Sequence, residues 1–188
     1  ITLKTIFRNK GAPMLTVGQA FPTFSCHANI GADAKSLTKI DNQSYKGKWV
    51  CYFFYPKDFT FVCPTEIAEF NKQLGEFRDR DCEVVGGSTD NEYSHLAWCQ
   101  SHPDLKDLKY PLIGAQKLSS DLGILHPEEG VCLRATFLVD PNGLIQWVSA
   151  NALSAGRNVA EVLRVLDALQ SDELCPCNWK KGDATIKV

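Results

Sequence analysis

One segment of the sequence carries residue types and spacings that suit chemistry at a sulfur atom. Cys63 lies in PKDFTFVCPTE, residues 56–66, where an apolar run ends and the pattern of a helix begins. Free backbone N–H groups and the helix dipole at such a position favour a thiolate, the reactive form of cysteine, over a thiol. Thr60, three residues earlier, offers a hydroxyl that can hydrogen-bond the sulfur or an oxygen attached to it. The alternative interpretation is that Cys63 is a buried apolar cysteine that happens to precede a proline.

Two further cysteines could complete a redox cycle with such a thiolate. Cys175 and Cys177 follow the last predicted helix in a polar tail, where thiols are accessible. A sulfenic acid on one cysteine condenses with another thiol to give a disulfide, which protects it from irreversible oxidation. A Cys-x-Cys pair is also half of a structural metal site, but the sequence has no other Cys/His pair at ligand spacing. We therefore expect no metal site at this pair.

The elements on either side of Cys63 indicate how a fold would hold it. The run KWVCYFFY, residues 48–55, is continuously apolar, as in a central strand that is buried on both faces. From Cys63 onward, a proline beside the first helical position and an acidic residue in the first turn are typical of a helix N-terminus. Four apolar residues follow at helical spacing and predict a buried helix face: Ile67, Phe70, Leu74 and Phe77.

The remaining pattern alternates strands with helices and then ends on a hairpin and a helix. Strands are predicted within residues 17–28, where a hairpin is the alternative, and over residues 82–88, 110–113, 134–139 and 144–149. Helices are predicted over residues 91–101, 118–123 and 158–170. The turn sequence Asp-Pro-Asn-Gly joins the last two strands into a β-hairpin. This order predicts an α/β protein with a thioredoxin-like fold, in which helices flank a mixed central β-sheet on both faces.

Length and composition limit the classes of protein to which the chain can belong. With 188 residues, 44 % hydrophobic and 22 % charged, the sequence predicts one soluble globular domain rather than a disordered chain. The formal net charge of −2 at pH 7 gives no basic surface for nucleic acid or an anionic membrane. No apolar run approaches the roughly 20 residues that span a bilayer. We divide the chain into an N-terminal extension (1–12), a thioredoxin-like domain (13–171) and a C-terminal tail (172–188).

Four of the eight cysteines occur in patterns that indicate burial as free thiols. Cys51, Cys82 and Cys132 lie in or beside apolar strand-like runs, and Cys99 lies in a helical pattern. A disulfide scaffold instead places its cysteines in the loops of a short secreted chain. Free buried thiols indicate a reducing compartment, so we expect the protein in the cytoplasm.

The segment around Cys63 resembles the active-site segment of the peroxiredoxins, whose pattern is Pro, three residues, Thr or Ser, two residues, Cys. Pro56, Thr60 and Cys63 match these three elements. The continuation Cys-Pro-Thr-Glu resembles the typical 2-Cys branch, which includes the alkyl hydroperoxide reductase C proteins. The resemblance covers nearly the whole chain and includes the segments SHLAW, RATFLVDPNG, GRN and CPCNWKKGD.

The resemblance implies a thiol peroxidase that reduces hydrogen peroxide and organic hydroperoxides and has no metal, flavin or haem cofactor of its own. Cys63 would be the peroxidatic cysteine, whose thiolate attacks the peroxide and becomes a sulfenic acid. Thr60, the Cys63 backbone N–H and Arg134 would orient the peroxide and stabilise charge on its leaving oxygen. Pro56 would help to shape the pocket and keep water from the sulfur.

The resemblance also implies a supporting ion pair between Glu66 and Arg157. The residues themselves allow simpler interpretations. Glu66 and Arg157 could be solvated charges at helix starts, and Arg134 could be a surface charge at the end of a strand.

By the same resemblance, Cys175 is the resolving cysteine, because CPCNW at residues 175–179 matches the family motif Cys-Pro-x-x-Trp. This implies a disulfide between Cys63 and Cys175 of two subunits, hence a homodimer, with a ring of dimers as the larger assembly. The electron donor would be thioredoxin or a dedicated disulfide reductase. Cys177 departs from the common tail, and it could be an auxiliary thiol or have no role.

Two other functions fit the same fold. A thiol–disulfide oxidoreductase normally carries Cys-x-x-Cys at the helix start, where this sequence has Glu66 as the last residue of the motif. A holdase chaperone with structural cysteines is the second alternative, and this activity could coexist with catalysis. Consumption of peroxide with dithiothreitol as the donor separates the three functions.

Overall fold

The computed structural model describes residues 12–188, so the N-terminal extension predicted over residues 1–12 lies outside the described range except for its last residue. Within this range, seven strands form one sheet: β1 (Ser25–Asn29), β2 (Thr38–Asp41), β3 (Trp49–Phe54), β4 (Cys82–Ser88), β5 (Leu112–Gly114), β6 (Arg134–Val139) and β7 (Ile145–Asn151). The α-helices described are α1 (Cys63–Lys72), α2 (Leu74–Arg78), α3 (Glu92–Ser101), α4 (Gln116–Asp121) and α5 (Val159–Gln170). None of these helices combines the length and the apolar character that crossing a membrane requires.

The sheet is mixed, and its order in space is β2-β1-β5-β4-β3-β6-β7. β3 runs parallel to β4, and β4 to β5, whereas the other neighbours are antiparallel. Because β6 runs antiparallel to β3, the first residues of β6 lie at the same edge of the sheet as the last residues of β3. α1 begins shortly after β3 and also starts at this edge. The topology therefore brings Arg134 to Cys63, although 71 residues separate them in sequence.

Two apolar cores cover the two faces of the sheet. Successive side chains of β3 point to opposite faces. Cys51 and Phe53 belong to the core formed with α1, α2 and α5, whereas Val50, Tyr52 and Phe54 belong to the core formed with α4. All five are at most 3 % exposed, and full burial of side chains of this kind contributes about 1.5–3 kcal/mol each. The predicted central strand and the predicted helices on both faces are thus confirmed.

The helix predicted from Cys63 onward is interrupted once. Gln73 separates α1 from α2, and its backbone (φ −90°, ψ 4°) leaves the helical region. Leu74 and Phe77 are nevertheless buried in the same core as Ile67 and Phe70. The predicted apolar face is therefore confirmed, because two short helices in sequence can present the same stripe to the sheet.

The region before β3 differs from its prediction. The strand predicted within residues 17–28 is confirmed only from Ser25 onward, as β1, which pairs with an additional strand, β2, that was not predicted. β2 lies at the edge of the sheet, and its four residues are exposed or half-buried. The segment Thr-Lys-Ile-Asp consequently has no apolar run from which a strand could be predicted.

The C-terminal tail packs on α5. Trp179 is only 6 % exposed, and Arg164 of α5 donates from Nη1 to its carbonyl oxygen at 3.0 Å. A bridge between Leu174 and Ile186 joins the two ends of the tail. The boundary at residue 172 between domain and tail stays a prediction.

Candidate active site

Cys63 is the first residue of α1, and the fold encloses its side chain. Only 1 % of the residue is exposed. Among the described residues, no side chain caps the N-terminus of α1. The partial positive charge of the helix terminus is therefore available to an anion at the sulfur.

Arg134 places a second positive group beside the sulfur. Its Nη1 lies 3.4 Å from Cys63 Sγ, and its Nε donates to the Leu153 carbonyl oxygen at 2.8 Å. Arg134 is 3 % exposed, which excludes the interpretation of a surface charge at a strand end. Since it is the first residue of β6, the register of β6 on β3 sets its distance from the sulfur.

Glu66 holds Arg134 and is shared with a second arginine. Its Oε2 lies 2.5 Å from Arg134 Nη1. The same carboxylate accepts from the Arg157 backbone N–H at 3.1 Å, from Nε at 2.9 Å and from Nη2 at 3.1 Å. All three side chains are at least 96 % buried, so none of them is a solvated charge. Two guanidinium groups and one carboxylate leave positive charge in excess beside the sulfur.

Glu66→Gln is expected to lower the free energy of unfolding by about 3–5 kcal/mol, because the buried Arg134 and Arg157 lose their anion. Urea unfolding followed by circular dichroism measures this loss. Glu69→Gln is the matched control, since Glu69 lies on the surface of the same helix, 3.6 Å from Lys72. The control is expected to change stability by less than about 0.5 kcal/mol. Equal losses in the two variants would contradict the prediction.

Thr60 lies in the loop before Cys63, but its hydroxyl is directed at the backbone. Its Oγ1 donates to the Lys57 carbonyl oxygen at 2.9 Å, and within residues 12–188 no hydrogen bond joins Thr60 to Cys63. Because the proton is committed to Lys57, the lone pairs of Oγ1 can accept a hydrogen bond from another group. Pro56 and Pro64, which flank this loop, are both buried.

The two tail cysteines are separate from this cluster. Cys175 is half-buried, and its Sγ lies 3.3 Å from Ser171 Oγ and 3.9 Å from the Ala168 carbonyl oxygen at the end of α5. Cys177 is exposed, and both thiols are free. Within residues 12–188, no group of three His, Cys, Asp or Glu side chains is placed to hold a metal ion.

The predicted burial of four other cysteines as free thiols is confirmed. Desolvation raises the pKa of Cys51 and of Cys132 to about 12 and that of Cys99 to about 11. It also raises the pKa of Cys82 well above its ordinary value. These thiols therefore stay protonated at neutral pH and lack the reactive form of cysteine.

Brief treatment of the reduced protein with N-ethylmaleimide near pH 8 is expected to modify Cys177 before any of these four cysteines. A thiol with a pKa of about 11 is ionised to only about one part in a thousand at that pH. Peptide mass spectrometry gives the order of labelling, and protein unfolded in guanidinium is the control in which all eight cysteines react. Labelling of a buried cysteine at the rate of Cys177 would contradict the assignment.

The loop before Cys63 contains a buried polar contact that was not predicted from the sequence. Asp58 Oδ2 lies 2.7 Å from Nδ1 of His95, which is fully buried in α3. The two residues lie 37 positions apart, in the segments PKDFTFVCPTE and SHLAW. No pattern in a single sequence indicates that two such residues meet. The one available signal was a carboxylate in an otherwise apolar, aromatic loop.

The chain matches the model of the AhpC/TSA family over residues 17–148. Alkyl hydroperoxide reductase C of Mycolicibacterium smegmatis is 52 % identical, and the match covers 93 % of this chain and 95 % of the relative. Thioredoxin peroxidase of Echinococcus granulosus is 40 % identical, with coverage of 91 % and 92 %. The structure of Mycobacterium tuberculosis AhpC matches with a TM-score of 0.82 at 51 % identity, covering 89 % of this chain and all of that chain. The reduced 2-Cys peroxiredoxin of Plasmodium vivax gives a TM-score of 0.84 at 38 % identity, with coverage of 91 % and 92 %.

The fold and these relatives define the class of protein as a peroxiredoxin, a peroxidase with a thioredoxin-like fold. The chain belongs to the AhpC/TSA family. These findings confirm the resemblance, the fold class and the enzyme class predicted from the sequence. The thiol–disulfide oxidoreductase and holdase alternatives are not favoured, because the relatives carry the names of peroxide-reducing enzymes.

Proposed function

We propose that the chain reduces hydrogen peroxide and organic hydroperoxides through a sulfenic acid on Cys63. The thiolate attacks the terminal oxygen of the peroxide, the O–O bond breaks, and the leaving oxygen takes a proton to give water or an alcohol. The sulfur is oxidised by two electrons and the peroxide is reduced by two. The observation that carries this proposal is the Arg134 guanidinium, 3.4 Å from a sulfur at the start of a helix.

The neighbouring groups each have a place in this step. Negative charge develops on the leaving oxygen, where the Arg134 guanidinium and the Cys63 backbone N–H act as donors. Thr60 Oγ1, whose own proton goes to Lys57, accepts the O–H of the peroxide and so orients the O–O bond. Pro56 limits the access of water. Glu66 and Arg157 act indirectly, because they fix the position of the Arg134 side chain.

Recycling of the sulfenic acid requires a second thiol, which we assign to Cys175 of the partner subunit. Its sulfur displaces the hydroxyl from Cys63, so a disulfide forms and one water leaves. A dithiol reductant, either thioredoxin or a dedicated disulfide reductase, then supplies two electrons and restores both thiols. Cys177 is exposed close to Cys175, and we assign to it the role of an auxiliary thiol in the later exchange with the reductant, after the dimer disulfide has formed.

The proposed disulfide between two subunits determines how the chains assemble. Two reciprocal disulfides between identical chains require a homodimer with two-fold symmetry, and a ring of such dimers is the larger assembly that we propose. In this scheme, residues 13–171 carry the peroxidatic site and residues 172–188 carry the resolving thiol. A cytoplasmic location suits the four buried free cysteines, since a reducing compartment keeps such thiols reduced.

Cys175→Ser is expected to reduce about one equivalent of peroxide per subunit without forming a covalent dimer. The reason is that Cys63 can still be oxidised, whereas the thiol that resolves it is missing. Non-reducing electrophoresis after one equivalent of peroxide detects the dimer, and mass spectrometry of a dimedone adduct locates the sulfenic acid. Cys177→Ser is the matched control and should form the dimer like the wild type. A covalent dimer in Cys175→Ser would overturn the assignment of the resolving cysteine.

A further inference from the structure

A buried cluster of hydrogen bonds anchors the loop between β3 and α1. The Asp58 carboxylate accepts from Tyr55 Oη at 3.0 Å and from Ser94 Oγ at 2.8 Å, and it lies 2.7 Å from His95 Nδ1. The Asp58 backbone N–H donates to Asp90 Oδ2 at 2.8 Å. The Asp58 side chain is 2 % exposed, and among the described residues no lysine or arginine pairs with it. The cluster itself therefore offsets the burial of this carboxylate.

The two ring nitrogens of His95 have different hydrogen-bond partners. His95 Nε2 lies 3.2 Å from the Ile113 carbonyl oxygen, which only accepts, so Nε2 carries a hydrogen. Nδ1 lies 2.7 Å from Asp58 Oδ2 and 3.3 Å from Tyr55 Oη, so both groups are within hydrogen-bond distance of it. These hydrogen bonds are buried, away from competing water, and they join the loop to α3.

The rest of the loop is strained and lightly held. Phe59, directly after Asp58, has a φ of 54°, a left-handed conformation that aromatic residues rarely adopt. Its side chain is largely exposed, with the ring centroid 5.9 Å from that of Trp98. A surface ion pair between Lys57 and Glu129 at 3.4 Å adds little stability. The Asp58 cluster is therefore the contact that offsets the strain and keeps the loop in place.

The proposed function, on which this inference rests, requires the loop to change conformation. A disulfide needs two sulfur atoms about 2.05 Å apart. Cys63 is 1 % exposed, with its sulfur beside Arg134, so the sulfur has to leave this site before it can reach Cys175 of another subunit. We propose that the Asp58–His95 pair is a latch that holds the loop closed for the peroxide step, and that its release sets the rate of disulfide formation.

The latch affects the two steps of the cycle differently. Attack on the peroxide uses the closed form, in which the Arg134 guanidinium contacts the sulfur. Disulfide formation uses the open form, and its rate scales with the ratio of open to closed protein. A weaker latch raises this ratio, while the closed form remains the major one.

The test separates these steps in the Asp58→Ala variant, in which the loop loses its anchor. Disulfide formation is expected to be about tenfold faster, whereas the rate constant of Cys63 oxidation changes by less than about twofold. Stopped-flow tryptophan fluorescence after mixing reduced protein with peroxide follows both phases. Acid-quenched samples on non-reducing gels assign the slower phase to the disulfide.

Two further variants make the test specific. Asp58→Asn keeps a side chain of the same shape, whose amide can hydrogen-bond Ser94 and His95 from the same position. It is expected to form the disulfide within about threefold of the wild-type rate. Ser119→Ala removes a buried hydroxyl that lies 2.9 Å from Cys132 Sγ, away from the loop, and it should leave both phases unchanged.

Clear results would overturn the latch. These are an unchanged disulfide rate in Asp58→Ala, an equal slowing of both phases, or an Asp58→Asn variant as fast as Asp58→Ala. If Asp58→Ala does not fold, Ser94→Ala removes one hydrogen bond of the cluster and is expected to speed disulfide formation about threefold. Failure of the proposed function has a different signature, because the wild type itself would then form no sulfenic acid on Cys63.

Discussion

Cys63→Ser is expected to lower the rate of peroxide reduction on the order of a thousandfold or more. A serine hydroxyl in this position stays protonated near neutral pH and is a far weaker nucleophile toward oxygen than a thiolate. The surrounding groups, including the Arg134 guanidinium 3.4 Å from the sulfur, cannot act on the peroxide without a nucleophile. Initial rates of peroxide consumption with dithiothreitol as the donor measure the effect.

Cys26→Ser is the matched control for this variant. Cys26 is a half-buried free thiol in β1, and desolvation raises its pKa above the ordinary value, so it stays protonated at neutral pH. The control should retain the wild-type rate. Full activity in Cys63→Ser would remove the basis of the proposed function.

Arg134→Lys is expected to lower the rate constant of Cys63 oxidation about a hundredfold. The guanidinium contacts the sulfur, the Glu66 carboxylate and the Leu153 carbonyl oxygen at the same time, from nitrogen atoms held in one plane. A lysine ammonium keeps the charge but offers a single nitrogen, so it cannot maintain these contacts together. Stopped-flow measurement of sulfur oxidation at several peroxide concentrations gives the rate constant.

Arg164→Lys tests whether the loss is specific to the site. Arg164 is also an arginine with several hydrogen bonds, which go to Glu161 and to the Trp179 carbonyl oxygen on the outer side of α5. This variant is expected to oxidise Cys63 at the wild-type rate. If the two arginine variants lost the same amount of activity, a direct role for Arg134 would be untenable.

Local patterns made most of the fold predictable. The apolar run of β3 is longer than an exposed strand would contain, so a buried central strand could be predicted from the residue types. Proline and an acidic residue after Cys63 placed the start of α1 at the observed residue. The break at Gln73 could not be predicted from local patterns, because packing against the sheet decides where the helix is interrupted. The edge strand β2 could not be predicted either, because its pairing with the backbone of β1 forms it.

The site was only partly predictable for a related reason. Reactivity at Cys63 could be argued from its position before a helix, which is a local property. The burial of Arg134 depends on the antiparallel pairing of β6 with β3, and residue types alone allowed a surface charge there. The meeting of Asp58 with His95 depends on how α3 packs on the sheet, and no periodicity in the sequence records it.

The position of Glu66 limits how far the reactive sulfur can travel. Two buried arginines form ion pairs with Glu66 and so tether the chain at this residue. Only the residues before Glu66 are free to move outward. Cys63 is three residues from this tether, a span of about 10 Å when fully extended. In the proposed disulfide, any separation of the two sulfur atoms beyond this span has to be crossed by Cys175, which requires the tail to leave its contacts with α5.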